Sequence, residues 1–280
     1  MSVKAELERH GLRARRSLGQ NFLADRALCD KIAALVAPEP RCVLEIGAGL
    51  GALTAPLLAR GSRVVAVETD RNLTVVLREK FANELATAQL ELLEADAREL
   101  DLAGVLGGLP APRTLAGNLP YHLSGLLLRR AVDLVELCQR AVFLLQLEVV
   151  DRMCAEPGSQ DYGALSVFVQ AVYRPRRELV VRRGAFYPQP GVDSAIVALE
   201  AREPPCAAPS ETFSLVVKSA FEKRRKTLRN AWRSLELSPP ELERLASEAQ
   251  IDLDARGETL PVSAFERMAA ALEAQRGPMR

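Results

Sequence analysis

The sequence predicts an α/β fold: a mainly parallel sheet with helices on both faces, followed by a small all-helical C-terminal domain. Three observations predict it. Between Val43 and Gln146 short apolar runs alternate with helical patterns, a spacing that builds βαβ units. A turn rich in glycine, Gly47-Ala48-Gly49-Leu50-Gly51, separates the first of these runs from a helix. Beyond about Glu211 the apolar spacing is helical throughout, after the Pro-containing stretch that begins at Glu203-Pro204-Pro205.

Residues 1–23 open with a short helical pattern and then carry Arg13, Arg15 and Arg16, a basic arm suited to phosphates, before Gln20-Asn21-Phe22-Leu23. Asp25 caps a helix over about 26–36, which Pro38 and Pro40 end. The predicted strands are Val43–Ile46, Val64–Val67 running into Glu68, Leu90–Leu93, Thr114–Ala116 running into Asn118, and Ala141–Gln146. Helices are predicted after the glycine turn through Arg60, over 71–86, and over 124–136. Further helices cover 148–154 and 163–171, and strands 178–181 and 195–199 form an antiparallel addition at the sheet's edge. The C-terminal helices are predicted over 211–223, 226–235, 239–249 and 261–275, with Pro239 and Pro261 near helix starts. The domain division is placed at 1–204 and 205–280.

Composition narrows the class. Of the 280 residues 48% are hydrophobic and 26% charged, as in an ordinary globular protein, and the formal net charge is only +1. Any surface for nucleic acid must therefore be local. The five cysteines (Cys29, Cys42, Cys138, Cys154, Cys206) are dispersed, with no C-x-x-C pair, and His10 and His122 are the only histidines. No metal site and no disulfide framework is expected. There is no apolar run of membrane-spanning length and no signal-peptide pattern, so a cytoplasmic protein is expected.

The chemistry gathers at strand ends. Gly47 and Gly49 allow close approach of a ligand to backbone at a helix start. Glu68, ending the second strand, suits a ribose diol. These residues fit a nicotinamide cofactor and S-adenosylmethionine about equally, since Gly47-x-Gly49-x-x-Ala52 also satisfies a dehydrogenase pattern. Asp96, just beyond the third strand, supplies an acceptor for an adenine amine and shifts the balance to S-adenosylmethionine. Asn118-Leu119-Pro120-Tyr121 decides it. The Asn118 amide oxygen and the Leu119 carbonyl can accept the two N–H groups of an exocyclic purine amine, orient it, and stabilise the positive charge it develops. Pro120 restricts the backbone, and Tyr121 offers a face for the base.

With these motifs in order the chain resembles the ribosomal RNA adenine N6,N6-dimethyltransferases, in particular the bacterial small-subunit type, over nearly its whole length. The matching segments are Leu18-Gly19-Gln20-Asn21-Phe22-Leu23, Glu45-Ile46-Gly47-Ala48-Gly49-Leu50-Gly51-Ala52-Leu53-Thr54, Asn118-Leu119-Pro120-Tyr121, the loop from Phe186 to Val192-Asp193-Ser194, and Phe221-x-x-Arg224-Arg225-Lys226-Thr227-Leu228-Arg229-Asn230. Ala48, His122, Leu147 and Gln189 depart from the family's usual residues. The resemblance implies a Rossmann-like class I methyltransferase sheet. It also implies that Asn21, Leu23, Gly47, Glu68, Asp96 and Asn118 contact S-adenosylmethionine, and that Tyr121 and Phe186 flank the target base. The implied substrate is 16S ribosomal RNA in the small subunit or its precursor, where two adjacent adenosines of a 3'-terminal hairpin each receive two methyl groups.

RNA binding is expected from Arg224, Arg225, Lys226, Arg229 and Arg233. Arg225, Arg229 and Arg233 recur every four residues and would share one helix face, with few compensating acids after Glu222. A second basic group is Arg174, Arg176, Arg177, Arg182 and Arg183. A monomer is expected. The alternatives are an adenine methyltransferase acting on large-subunit RNA or DNA, a nicotinamide-dependent oxidoreductase, and an assembly factor in which RNA binding matters more than catalysis.

Overall fold

A computed structural model describes residues 2–39, 41–203, 209–223 and 225–276. It divides into two compact units, residues 1–150 with 176–201 and residues 151–175 with 202–280.

The first unit is built on a seven-stranded sheet. Its N-terminal part holds α1 (Val3–Arg9), β1 (Phe22–Leu23) and α2 (Arg26–Val36). Then come β2 (Cys42–Ile46), α3 (Thr54–Ala59), β3 (Arg63–Glu68), α4 (Arg71–Lys80), α5 (Ala82–Ala86), β4 (Leu90–Glu94) and α6 (Leu102–Gly107). The chain continues through β5 (Arg113–Asn118), α7 (Ser124–Asp133), β6 (Arg140–Gln146) and α8 (Leu147–Cys154). After α9 (Ala164–Val172) it returns to the sheet as β7 (Tyr173–Val181) and β9 (Ser194–Ala201), with the short β8 (Phe186–Tyr187) between them.

The strand order is β4-β3-β2-β5-β6-β9-β7. The pairs β4/β3, β3/β2, β2/β5 and β5/β6 are parallel, and β9 runs antiparallel to β6, the late addition that the sequence predicts. Strands covered on both faces read as unbroken apolar runs, and β2 is buried at every position. The register places Ile46 beside both Val67 and Gly117, Glu68 beside Glu94, and Asn118 beside Leu144. The C-terminal ends of four adjacent strands are thereby brought level, at the edge where open α/β sheets bind ligands. A core of aliphatic side chains from β2, β3, α2 and α3 backs this edge.

Local chemistry sets the helix starts. The Asp25 side chain accepts from Leu28 N at 3.1 Å and the Asp101 side chain from Gly104 N at 3.0 Å. The helix predicted over 71–86 is interrupted at Phe81, whose buried ring turns inward. Gly51 makes room for that ring: at φ +75 a Cβ on Gly51 would stand 2.4 Å from Phe81 Cε2. Helix α6 is absent from the sequence reading because three of residues 102–108 are glycine; the Asp101 cap and buried Leu102 and Leu106 hold it.

The second unit consists of α9, α10 (Glu211–Glu222), α11 (Leu228–Ala231), α12 (Pro239–Glu248) and α13 (Val262–Arg276), with residues 151–163 leading into α9. It begins earlier in the chain than the division at 204/205, because residues 151–175 pack with the C-terminal helices. Tyr162 is buried, donates to Leu260 O at 2.9 Å, and stacks edge-on against Phe221, which packs in turn on Phe265. Phe168 meets Phe213 in the same way. The boundary residues Pro204 and Pro205, like Pro40 and Cys206, lie outside the described residues. Cys29, Cys42 and Cys138 are buried, and burial pushes the Cys29 and Cys138 thiols up to about 11. Among the described residues no helix is long and apolar enough to cross a membrane, and no cluster of His, Cys, Asp and Glu could hold a metal.

Candidate active site

One cavity at the level strand ends collects Asn21, Leu23, Gly47, Gly49, Glu68, Asp96, Asn118, Leu119, Pro120 and Tyr121. Its floor is the glycine turn. Gly47, Gly49 and Gly51 all have positive φ, which curls the backbone so that Gly49 N–H points at Glu68. The Glu68 carboxylate accepts from Gly49 N at 2.8 Å with one oxygen and from Asp70 N at 2.9 Å with the other. Burial holds its pKa above the usual carboxylate range. Asp70 is itself buried and accepts from Gln20 Nε2 at 3.0 Å, while Gln20 Oε1 receives Arg15 N at 2.8 Å. Arg15 also faces Asp70 at 3.5 Å. The N-terminal arm is thus fastened to the cavity floor, and residues 18–23 form part of the cavity's wall. Arg15 serves this latch, and Arg13 is exposed.

The second wall is the exit from β5. Asn118 donates from Nδ2 to Asn21 O at 2.9 Å, which joins two motifs 97 residues apart and fixes the orientation of the amide. Leu119 is buried and its N–H is held by Leu144 O at 3.2 Å. Pro120 precedes a single 3-10 turn over Tyr121–Leu123. Tyr121 Oη lies 2.8 Å from Ser194 Oγ, and burial raises the phenol above its ordinary pKa, so it remains neutral.

The family model described as ribosomal RNA adenine dimethylase matches residues 11–273. The chain belongs to that family. It is 45% identical over 284 residues to the ribosomal RNA small subunit methyltransferase A of Anaeromyxobacter dehalogenans, covering 97% of this chain and 98% of that one. A dimethyladenosine transferase from Plasmodium falciparum has the same fold, with a TM-score of 0.75, 23% identity, and coverage of 91% of this chain and 98% of that one. The 23S rRNA methyltransferase ErmE aligns with a TM-score of 0.65 and 25% identity, over 90% of this chain and 100% of that one. A class I methyltransferase fold and an rRNA adenine dimethyltransferase activity follow, and ribosomal RNA is the substrate.

Within this dimethylase, Asp96 is not an open acceptor. Both its oxygens engage Arg98, through the side chain at 2.6–3.0 Å and the backbone N–H at 2.8 Å. Hydrogen bonding from Arg98 is the main cause that holds this carboxyl below its ordinary range. The loop that carries Asp96 is clamped from behind by Arg130 of α7, whose guanidinium donates to the carbonyls of Ala97, Arg98 and Leu100. A purine amine reaching Asp96 must take one of the positions that Arg98 fills. Arg98→Ala is therefore expected to tighten donor binding by about fivefold, the worth of one modest hydrogen bond, in titration calorimetry. Unchanged or weaker affinity would show that Asp96 does not meet the amine.

Three features differ from the sequence expectations. Phe186 is only 4% exposed, belongs to the core cluster that also holds Leu23 and Leu28, and is not among the residues that line the cavity. Its backbone pairs with Leu23 in the small β1/β8 sheet, so Phe186 anchors the segment that walls the cavity. Second, Arg225, Arg229 and Arg233 do not share one helix face: Arg225 lies in a turn, Arg229 in α11 and Arg233 in the 3-10 turn Trp232–Leu235. The buried Trp232, donating from Nε1 to Val216 O at 3.0 Å, breaks the predicted helix there. Third, compensating acids are present, since Arg229 reaches Glu243 at 2.8 Å and Asp254 at 3.4 Å. Arg225, Lys226, Arg229 and Arg233 are nevertheless exposed, and Arg224 lies outside the described residues.

Two residues of the site escape the sequence reading. Glu45, inside the apolar run of β2, lines the cavity and accepts from Thr54 Oγ1 at 2.7 Å. Ser194 holds Tyr121. A carboxylate inside a buried strand is the signal that could have found the first; the second closes a motif of the family resemblance, but no local pattern pairs it with Tyr121.

Proposed function

We propose that this enzyme transfers methyl groups to the exocyclic N6 of two adjacent adenosines in a 3'-terminal hairpin of 16S ribosomal RNA, within the small subunit or its precursor. Each adenosine becomes N6,N6-dimethyladenosine. The observation that carries the reading is the Asn118 amide: with Nδ2 committed to Asn21 O, its acceptor oxygen is left for a ligand N–H at the cavity wall.

S-adenosylmethionine is the methyl donor, and when bound it supplies an electrophilic methyl group. The donor set fits it: Gly47 and Gly49 give a backbone cradle, Glu68 a carboxylate suited to a ribose diol, Asp96 an acceptor for an amine that displaces one Arg98 contact, and Asn21 and Leu23 a wall. The acceptor side is the chain's own work. Asn118 Oδ1 and Leu119 O accept the N–H groups of the target amine and stabilise the charge that grows on it. Pro120 holds the two acceptors in one orientation. Tyr121 gives the unstacked base a face, a contact worth about 1–3 kcal/mol. No strong base is required, because the amine becomes acidic only as its new bond forms.

RNA affinity is assigned to the exposed basic residues Arg225, Lys226, Arg229 and Arg233, together with Arg224, Arg13 of the N-terminal arm and the group around β7. The second unit is the RNA-binding unit in this reading, and the protein acts as a cytoplasmic monomer. Charge reversal at Arg225 and Arg233 is expected to weaken RNA binding and flatten its salt dependence, with donor affinity unchanged; an unaltered salt slope in a filter-binding titration would remove both residues from the interface.

The deciding experiment offers labelled S-adenosylmethionine with unmethylated small subunits, large subunits and DNA, and identifies the labelled base. N6,N6-dimethyladenosine in small-subunit RNA is expected. Label confined to large subunits would move the enzyme to the activity named for ErmE, and label on DNA alone would overturn the RNA reading.

A further inference from the structure

We propose that Ser194 is a positioning residue for the reaction: its buried hydroxyl fixes where the Tyr121 ring stands, and Asp193 holds the backbone from which that hydroxyl projects. The proposal rests on the reading that Tyr121 stacks on the target purine.

Ser194 is the first residue of β9, paired with Gln146 at the end of β6. It is fully buried, and its Oγ lies 2.8 Å from Tyr121 Oη. Tyr121 leaves β5 through Leu119 and Pro120, so its ring stands on an exit loop and not on a strand. Apart from packing, a tyrosine on such a loop is free to swing about its side-chain torsions. A bond at the para oxygen, farthest from the backbone, stops the ring from swinging about its first side-chain torsion, and packing is left to settle the turn about the ring's own axis. Here the bond reaches across β6 to a strand that enters the sheet from the opposite direction, so the loop of β5 is tied to the rigid part of the fold.

Asp193 makes the tie stiff. One carboxylate oxygen accepts from Arg183 N at 2.9 Å and the other from the Arg182 guanidinium at 2.7 Å. Its own carbonyl accepts from Leu147 N at 3.0 Å. The residue before Ser194 is thus held by the turn that leads to β8 and by the start of α8. These contacts give the Val192-Asp193-Ser194 segment work distinct from that of Phe186, which fills the core eight residues earlier.

The chemical consequence concerns position. An amine presented to Asn118 and Leu119 must stand within reach of both acceptors, and the position of the ring against which the base rests sets that distance. Small misplacements of reacting groups cost large factors in rate. The brace should therefore act on turnover more than on binding.

The test is a double-mutant cycle with small subunits as substrate. Ser194→Ala and Tyr121→Phe each remove one end of the bond, and Tyr121→Phe keeps the ring and its packing. Each is expected to lower kcat by about tenfold with little change in KM, and calorimetric donor affinity should be unaltered. The double variant should be no slower than either single one, because the same bond is lost once. Losses that multiply in the double variant, or a full rate in Tyr121→Phe, overturn the brace while the functional reading stands. Absence of labelled adenine with the wild-type chain overturns that reading, and the brace with it.

Discussion

Asn118→Ala is expected to lower kcat for methyl transfer by about 10²–10³-fold, the loss typical of one preorganised donor or acceptor at a developing charge. RNA affinity should be unchanged. The side chain has two ends with separate jobs. Its Nδ2 holds Asn21 O at 2.9 Å and so fastens the N-terminal segment that walls the cavity. In the proposed mechanism its oxygen receives the substrate amine. Alanine removes both, so donor affinity should also fall, by no more than about fivefold for one lost hydrogen bond. Asn118→Asp separates the two jobs. It restores an acceptor but sets a carboxylate oxygen against the Asn21 carbonyl, so it should open the wall and bind the donor less well than the alanine variant. Single-turnover rates and donor calorimetry on the two variants check this. Wild-type turnover in Asn118→Ala would remove the residue from the mechanism.

How much of this was legible in the sequence depends on how far apart the interacting residues are. The strand ends were legible because parallel strands buried on both faces read as apolar runs, and a polar residue at the end of each run, Glu68 or Asn118, marks the ligand edge. Contacts between distant segments were not. Tyr121 and Ser194 are 73 residues apart, and no local pattern pairs a loop tyrosine with a strand serine. Arg229 looked uncompensated along the chain because its acids come from 14 and 25 residues downstream. Periodicity alone extended a helix through Arg225, Arg229 and Arg233, but Trp232 needed a buried partner, and that requirement ended the helix after one turn. Phe186 shows the limit of motif reading: the motif does not reveal that its side chain is buried in the core cluster that also holds Leu23 and Leu28.

Glu45→Gln is expected to stabilise the protein at pH 8 by on the order of a few kcal/mol and to leave it nearly unchanged near pH 5. Glu45 is buried, and desolvation pushes its carboxyl up to about 8, against an ordinary value of 4.5; the hydrogen bond from Thr54 opposes the rise and the nearby Glu68 adds to it. Below pH 4.5 both the folded and the unfolded chain hold the proton, and the folded state has its full stability. Between 4.5 and about 8 only the folded chain holds it, so the unfolded state gains and stability falls as pH rises, by about 1.4 kcal/mol per unit for one proton. Glutamine is neutral throughout and still accepts from Thr54, so it should remove most of that slope. Burial raises Glu68 in the same direction, and a smaller slope of the same sign should remain. Urea unfolding from pH 5 to 8 measures both; identical slopes in the two proteins would show that Glu45 is not the group that holds the proton. The carboxyl also lines the donor cavity, where a cationic ligand favours its ionised form. Binding S-adenosylmethionine near pH 7 should therefore release a proton from the wild-type enzyme, visible as a dependence of the binding enthalpy on the buffer's ionisation enthalpy. Glu45→Gln should bind with that dependence largely gone, which links the stability of the empty enzyme to the charge of its donor through one buried carboxyl group.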